Sequence, residues 1–529
     1  MTDNPRLQTR IINKPLPTDS VFPILGERAV FWVLLSGLII QFISALYATG
    51  YWHPDQQHSI IEFATYKMGI TPANLMAQEL KEQVRPTLQV YLFLGYFKAM
   101  QFLHLGDPYQ AHTFLRILTS LLNFILFHYI LLRIFSQDRK QTLILLLLIS
   151  NFSWSLPYLR TLFTSENLGG LAFFSAVLLY QYFSARSMTF GKSLLVGGVL
   201  GLAFFFRFQM GFAMIGLGLW LLFVEKSSLS TLCGIAMGFL ILSGLNYLLD
   251  SHFYGQWVFT PYKYWEINIT LGRAMQTKSF LIYIGMLSIA LSAPPLSIVF
   301  LYHLGKGLYQ KFTDPYCLSF FFFLLAHCLI PHKEERFVFP LYGILPLILG
   351  YGLRDVLNGL KPRFWKVQWS LAFKSLIAVS LTINLLLLVL LLFIPVAQHI
   401  EFSRRLTRYF QDQAKPVKLV FYQRTPYETP SVRNVATYYL LAKNPKVEME
   451  TIRDRSEFLS KLKNPEAGTY FVSTLDRLKK DNLTEEMNCT RLLVSSPFLL
   501  GANALLEKWG GPVLPELWGL YDCRGGMGR

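Results

Sequence analysis

The feature that most restricts this chain is its succession of long apolar runs. Crossing a bilayer takes roughly 20 mostly apolar residues in one helix. Candidates are Ala29–Gly50, Phe114–Phe135, Thr142–Pro157, Ser165–Phe183, Leu194–Phe206, Met210–Phe223, Leu229–Leu249, Phe280–His303, Leu318–Ile330, Phe337–Leu353 and Ser370–Pro395. Val90–Leu105 is a weaker one, interrupted by Lys98 and His104. In lipid every backbone polar group must be satisfied within the segment, so such runs become helices. The expectation is a polytopic all-α membrane part with about eleven spans. Only 15% of the 529 residues are charged, against roughly 25% in a soluble domain. The deficit is local: residues 397–529 hold 20 Lys/Arg and 15 Asp/Glu, leaving 29 and 17 for the 396 residues before them. Three regions follow, a cytoplasmic segment 1–28, a membrane domain 29–396 with polar excursions at 51–89 and 250–279, and a soluble domain 397–529.

The net charge of +17 suits cytoplasmic loops facing anionic lipid. No basic stripe with interleaved aromatics suggests nucleic acid as a partner. The basic N-terminus (Arg6, Arg10, Lys14, Arg28) and the runs Lys306–Lys311 and Arg354–Lys366, with Lys361 and Arg363, belong inside. Tyr51–Gln89, Asp250–Ser279, Pro331–Arg336 and the tail then share the outer face. For the parity to close, either Val90–Leu105 stays out of the membrane or the stretch around Arg207 crosses once. The first apolar run, after about 28 polar residues without a small-residue cleavage site, reads as a retained anchor.

The tail alternates β-like runs (Lys418–Tyr422, Lys446–Thr451, Thr469–Val472, Arg491–Val494) with helical patterns (Val432–Lys443, Ser456–Leu462), a small α/β domain. It holds Cys489 and Cys523, which an oxidising compartment would allow to pair. Cys233, Cys317 and Cys328 fall in apolar segments as small core residues. Asn482-Leu483-Thr484 and Asn488-Cys489-Thr490 are acceptors for glycosylation where a host has that machinery. Gly525–Gly528 is terminal and no GxGxxG follows the first strand.

Two polar segments concentrate chemistry. In Tyr51-Trp52-His53-Pro54-Asp55-Gln56-Gln57-His58-Ser59-Ile60-Ile61-Glu62, Pro54 suits a first helical turn and Asp55 its positive end. On a continuing α-helix, Asp55, His58, Ser59 and Glu62 share a face. That face is suited to general-base work on a sugar hydroxyl, or to solvation of an amphipathic helix. Asp55, His58 and Glu62 are also metal-ligand types, without a fixed ligand spacing. Pro331-His332-Lys333-Glu334-Glu335-Arg336-Phe337 packs five polar or charged residues between apolar runs. There Lys333 and Arg336 can bind a phosphate and His332 hydrogen-bond to it, unless the segment is a hydrated hairpin tip. Arg160, Glu166 and Arg207 lie inside apolar sequence, where charges pair or line a pathway. Arg207 can alternatively snorkel, and residues 160–166 can form a corner between helices.

Taken together these segments resemble the family-22 glycosyltransferases of the GT-C superfamily, mannosyltransferases of N-glycan and GPI-anchor assembly. His53-Pro54-Asp55 followed by Glu62 matches one family pattern, and His332-Lys333-Glu334-Glu335-Arg336-Phe337-Val338-Phe339-Pro340 another. Arg85-Pro86, Arg160-Thr161-Leu162, Arg207, Asp250–Gly255 and Thr260-Pro261 match more weakly, in the expected order over residues 30–350. The resemblance implies a GT-C membrane domain that transfers mannose, with inversion, from a polyprenyl- or dolichyl-phosphate sugar to a lipid-linked glycan or glycolipid, without a metal cofactor. Asp55 would be the base. His332, Lys333, Glu335, Arg336, Arg160 and Arg207 would bind donor phosphate or substrate, and His53, His58 and Glu62 would support them. The site would face the periplasm of a bacterial inner membrane or the lumen of the endoplasmic reticulum. Gln56 stands where the family has Glu, and Thr270–Tyr283 lacks the aromatic run common near the acceptor side. The competing classes are a transporter, for which no internal repeat is found, and a GT-C-like scaffold without catalysis.

Overall fold

The computed structural model describes residues 25–272, 278–359, 371–428, 435–463, 465–483, 489–508 and 516–523. Of the features read from the sequence, Arg6, Arg10, Lys14, Lys361, Arg363, Val432, Thr484, Asn488 and Gly525–Gly528 lie outside the described residues. Contacts divide the chain into two compact units that cut across the linear boundaries. One holds Met1–Leu46, Glu82–Gln89 and Leu115–Phe393, the other Tyr47–Lys81, Val90–Phe114 and Ile394–Arg529.

The first unit is helical, and each of the eleven apolar segments is helix over most of its length. Four helices are long and apolar enough to cross a bilayer: Arg28–Tyr47, Pro108–Phe135, Leu229–Tyr254 and Lys374–Phe393. Two bent pairs raise the number to six among the described residues: Leu296–Gln310 with Pro315–Leu329, at 116°, and Glu335–Tyr342 with Leu345–Asn358, at 60°. Four further apolar helices, among them Lys140–Phe152 and Phe190–Phe206, run to between 10 and 17 residues, and Ser165–Ser184 to 20. The breaks have local causes. Proline cannot donate to a helix ladder; Pro294-Pro295 follows Leu281–Ala290, and Pro315 opens its helix behind Asp314, whose side chain accepts from Tyr316 N. The chain is a multi-pass membrane protein.

Small residues let these helices touch. Gly197 faces the Ile235 carbonyl and Gly238 the Leu194 carbonyl so closely that a Cβ at either would collide. Helix Phe190–Phe206 thereby packs backbone to backbone on Leu229–Tyr254, the small-residue contact that lipid-embedded helices rely on. The core of the unit is built from Phe173, Leu146, Tyr316, Phe323, Leu345 and Ile348, all fully buried.

The second unit is organised on a five-stranded sheet. Its strands are β1 (Val417–Tyr422), β2 (Val447–Ile452), β3 (Thr469–Thr474), β4 (Thr490–Val494) and β5 (Trp518–Asp522), in the order β2-β1-β3-β5-β4. β2, β1 and β3 run parallel; β5 is antiparallel to β3 and β4. Val417, Leu419 and Phe421 meet Phe402 and Leu406 of helix Gln398–Tyr409 on one face. Val420 and Tyr422 meet Phe458, Leu462 and Leu478 on the other. This alternation is the period-2 pattern of a strand buried on both sides. β5 escapes the sequence reading because its apolar residues are few and lie near the chain end, yet it occupies the position between β3 and β4.

Val90–Leu105, the weaker span candidate, forms helix Leu88–Phe102, and its residues belong to this second unit. Phe93 and Phe97 set their rings against Tyr438, at 5.6 and 5.2 Å between centroids, and Tyr109 stacks on Tyr439 at 5.0 Å. Each buried aromatic pair of this kind is worth about 0.5–1.5 kcal/mol beyond its area.

Cys489 and Cys523 are joined in a disulfide across the β4–β5 edge, beside the register pair Thr490 and Asp522. Cys233, Cys317 and Cys328 are free. Thiol titration of the denatured, unreduced protein is therefore expected to count three thiols, rising to five after reduction. Five thiols before reduction would mean that the tail is not exposed to an oxidising compartment.

Candidate active site

His53, Pro54 and Asp55 open a helix as the sequence suggests, but its continuation is not α-helical. Pro54–Gln56 gives way to a π turn over Gln57–Ile61, and α-helix resumes at Glu62. The Glu62 N–H donates to the Gln57 carbonyl, five residues back. The wider turn aligns Gln57 rather than His58 with Glu62, so the expected common face of Asp55, His58, Ser59 and Glu62 is split. Gln57 Nε2 donates to Glu62 Oε1 at 2.7 Å, while Ser59 Oγ donates to Glu79. Single π turns recur at functional sites, where they re-aim side chains.

Asp55 keeps 24% of its side chain exposed. His53 Nδ1 accepts from the Asp55 backbone N–H at 3.2 Å and caps the helix. The same nitrogen lies 3.3 Å from Asp55 Oδ1. The two neighbours identified with Asp55 are buried. Burial lowers the His58 pKa to about 4 against the pull of the Asp55 carboxylate, with His399 adding to the depression.

Glu62 is saturated. Its Oε1 also accepts from Tyr438 N at 3.1 Å, and its Oε2 lies against the hydroxyls of Thr437, of Thr71 at 3.1 Å and of Thr65 at 3.2 Å. Burial raises its pKa, and the donors at Thr437, Gln57, Tyr438 N and Thr71 hold back the rise. With both oxygens engaged by protein, Glu62 fastens the loop to residues 437–438 and has no oxygen to spare for a substrate.

In the first unit, the second polar segment enters the short 3-10 turn Glu335–Val338. Arg336 Nε meets Glu334 Oε2 at 2.6 Å, and His332 Nε2 meets Glu334 Oε1 at 2.9 Å. Glu166 Oε1 lies 3.2 Å from Arg207 Nη1 and 3.7 Å from Arg336 Nη1. Both guanidinium groups also lie against the Phe337 ring, at 5.2 and 5.7 Å. Arg207 is thus buried and paired rather than snorkelling. Sequence reasoning flagged Glu166 as a charge in need of a partner but did not place it between two arginines that are 129 residues apart in sequence.

Lys333 differs. Its side chain is 3% exposed and its ammonium donates to the Ile330 carbonyl, with no carboxylate paired to it among the described residues. Burying an unpaired cation is costly. Glu335 is exposed. Arg160, in the corner between helices Leu156–Leu159 and Ser165–Ser184, donates to Ser150 O at 3.0 Å and Ser150 Oγ at 2.6 Å. It lines a small cavity with Asn123, Asn167 and Pro340, apart from the Glu166 pair.

Three of the weaker sequence matches, Arg85-Pro86, Asp250–Gly255 and Thr260-Pro261, converge on one bolt. Asp250, at the end of helix Leu229–Tyr254, accepts from Thr87 N at 2.7 Å, Thr87 Oγ1 at 2.6 Å, Asn246 Nδ2 at 2.7 Å and Thr260 Oγ1 at 2.6 Å. Tyr254 Oη donates to the Arg85 carbonyl at 2.8 Å. Segment 85–87 and the start of helix Thr260–Gly272 are thereby fixed to a spanning helix. Among the described residues no group of three or more His, Cys, Asp or Glu is placed to hold a metal ion.

The family model described as the Alg9-like mannosyltransferase family matches residues 32–435. GPI mannosyltransferase 3 of Saccharomyces cerevisiae (strain ATCC 204508 / S288c) is 28% identical over 163 residues, which cover 28% of this chain and 26% of the yeast protein. The chain thus spans about a quarter of that relative's length. The crystal structure of ArnT from Cupriavidus metallidurans bound to undecaprenyl phosphate aligns with a TM-score of 0.51 at 10% identity, over 88% of this chain and 96% of that one. Its apo form aligns at 0.50 and 12%, over 88% and 97%. At these identities the likeness is one of fold, the GT-C fold.

The depressed His58 pKa has a measurable consequence. Between pH 6.5 and about 4 the unfolded chain binds a proton at this position that the folded chain does not, so stability falls as pH falls through that window. The loss is on the order of 3 kcal/mol at its full extent. His58→Gln is expected to flatten this part of the melting-temperature profile between pH 7 and 4. A variant profile parallel to the wild type would remove His58 as its cause.

Proposed function

The chain belongs to the Alg9-like mannosyltransferase family, and on that premise we propose that it moves a mannosyl residue from a polyprenyl- or dolichyl-phosphate donor to a lipid-linked glycan or glycolipid, leaving it α-linked in the product. It is a membrane glycosyltransferase of GT-C fold; the donor, the acceptor and the residue roles are the proposal. The observation that carries it is Lys333, a buried ammonium held by one backbone carbonyl inside the motif His332–Pro340. A buried cation with no carboxylate paired to it among the described residues fits an anionic ligand, and a lipid phosphate is the anion this family's chemistry needs. The ArnT structure bound to undecaprenyl phosphate supports a lipid-phosphate donor on this fold.

In this reading the exposed Asp55 carboxylate accepts the proton of an acceptor hydroxyl. The hydroxyl oxygen bonds to the anomeric carbon while the bond from that carbon to the phosphate oxygen breaks, inverting the centre. The electron pair leaves with the lipid phosphate. Lys333, Arg336 and His332 stabilise the charge that develops there, a preorganised contribution of the kind that dominates many enzymes. Arg207 and Glu166 hold Arg336 in place. Side-chain cations carry the phosphate charge in this scheme, and the reaction is expected to survive chelation of divalent metals. The tail and Asp55 lie on the periplasmic or lumenal side; the Cys489–Cys523 pairing supports an oxidising compartment for the tail.

The test is transfer of radiolabelled mannose from synthetic polyprenyl-phosphate-mannose to a lipid extract of the host. Removing a general base lowers rates by about 10²–10⁴-fold, and Asp55→Asn is expected to fall in that range, with Lys333→Met raising the donor KM. EDTA is expected to leave the wild-type rate unchanged. Equal product from wild type and Asp55→Asn would eliminate Asp55 as the base.

A further inference from the structure

The parallel part of the sheet changes direction between β1 and β3. The chain leaves β1 for β2 on one side and returns to β3 on the other. In open α/β sheets, the crevice outside the carboxyl ends of strands at such a reversal is where ligands bind. Here Gln423 follows β1 and Thr474 ends β3, and the register Phe421 to Val472 makes these two positions neighbours.

Several independent features meet at this crevice. Gln423 and Glu516 both have left-handed backbones, at φ 67° and 68°, a conformation that non-glycine residues hold at a cost and mostly at functional positions. Arg424, 12% exposed, lies over the Trp518 ring at 5.3 Å and pairs with Glu516 Oε1 at 2.9 Å. Arg477 is half-buried in the field of Arg424, Asp476 and Glu516. Thr474 is the register partner of Trp518. Arg424 Nε, Trp518 Nε1, Thr474 Oγ1 and Asp476 Oδ1 are all buried without a hydrogen-bond partner among the described residues. Buried polar atoms are nearly always satisfied, so four orphans in one place call for an occupant.

The chemistry of the groups selects its class. Two guanidinium groups and two carboxylates balance, which disfavours a phosphate. The four atoms include both donors and acceptors, which suits vicinal hydroxyls, each of which gives one hydrogen bond and accepts others. The crevice also connects to the reaction. Glu516 Oε2 lies 3.6 Å from His399 Nδ1, and His399 Nε2 shares a hydrogen bond with Tyr51 Oη at 3.0 Å. The Tyr51 ring meets that of His58, three residues beyond Asp55, at 6.1 Å. We propose that the crevice formed by Arg424, Thr474, Asp476, Arg477, Glu516 and Trp518 is a saccharide-binding site, separate from the catalytic Asp55, that holds the glycan of the acceptor. Naming the glycan as the acceptor's rests on the transfer reaction proposed above; the existence of the site does not.

The experiment uses the full chain in detergent, carrying Asp55→Asn and without donor, so that no turnover is involved. Saturation-transfer NMR is recorded with methyl α-mannopyranoside and an α-linked mannobiose. Both are expected to show contact with the protein. Arg424→Gln is expected to weaken binding about tenfold, the loss of a charged hydrogen bond. Thr474→Val, which removes only a hydroxyl, guards against misfolding and is expected to weaken it severalfold at an unchanged melting temperature. Saccharide signals that persist at full strength in both variants, or no signal at all, would overturn the site, as would displacement of the sugar by inorganic phosphate. Binding that depends on Arg424 in a protein that fails the mannose-transfer assay would keep the site and sink the proposed reaction. Transfer without Arg424-dependent binding would do the reverse.

Discussion

The buried carboxylate of Glu62 ties together parts of the chain that no local interaction could join. Hydrogen bonds to charged groups contribute about 1.5–3 kcal/mol each, and Glu62 collects donors from Gln57, Thr65, Thr71, Thr437 and the Tyr438 N–H. They offset what burial would otherwise cost the charge. Removing the acid would leave the Gln57 amide and the Tyr438 N–H without their acceptor. The helix that carries Asp55 owes its position to this bolt, because the π turn Gln57–Ile61 is anchored at one end by Glu62 and at the other by the His53 cap.

Three kinds of buried charge follow from the same physics. Glu62 and Asp250 are saturated by neutral donors and act as fasteners. Glu166 is shared between Arg207 and Arg336, a pairing that breaks at a high cost when one partner is removed. Lys333 and Arg160 are cations that meet only carbonyls and a hydroxyl. Only the last kind leaves an electrostatic demand unmet among the described residues, and that distinction separates framework residues from candidates for ligand contact more sharply than proximity to a motif does.

Much of this architecture is legible in sequence because lipid is an unforgiving solvent. Apolar runs had to be helices, and the four strands Lys418–Tyr422, Lys446–Thr451, Thr469–Val472 and Arg491–Val494 announce themselves through β-branched and aromatic residues. What escapes has physical reasons. Trp518–Asp522 is a strand only because β3 and β4 offer it edges on both sides. Helical periodicity assumes 3.6 residues per turn, so spacing could not show that Gln57 rather than His58 sits beneath Glu62. The partners of Asp250 and Glu166 lie 163 and 170 residues away at Thr87 and Arg336, beyond any pattern read along one segment. The polar segment at Arg336 could be identified as charged, but its ion pairing depends on the tertiary fold.

The reach of the Glu62 bolt also sets a timetable. Glu62 and Thr437 are 375 residues apart, and ribosomes add roughly 5–20 residues per second. The polar segment that holds Glu62 is therefore made about 20–75 seconds before its partner exists. During that interval Glu62 has only the donors of its own segment, Gln57, Thr65 and Thr71, and Phe93 and Phe97 lack the Tyr438 ring. Closing so long a loop carries an entropic cost that is met only when the last contacts form. The unit bearing Asp55 is thus among the last parts of the chain to be completed, and an interrupted nascent chain would contain Asp55 without the structure that positions it.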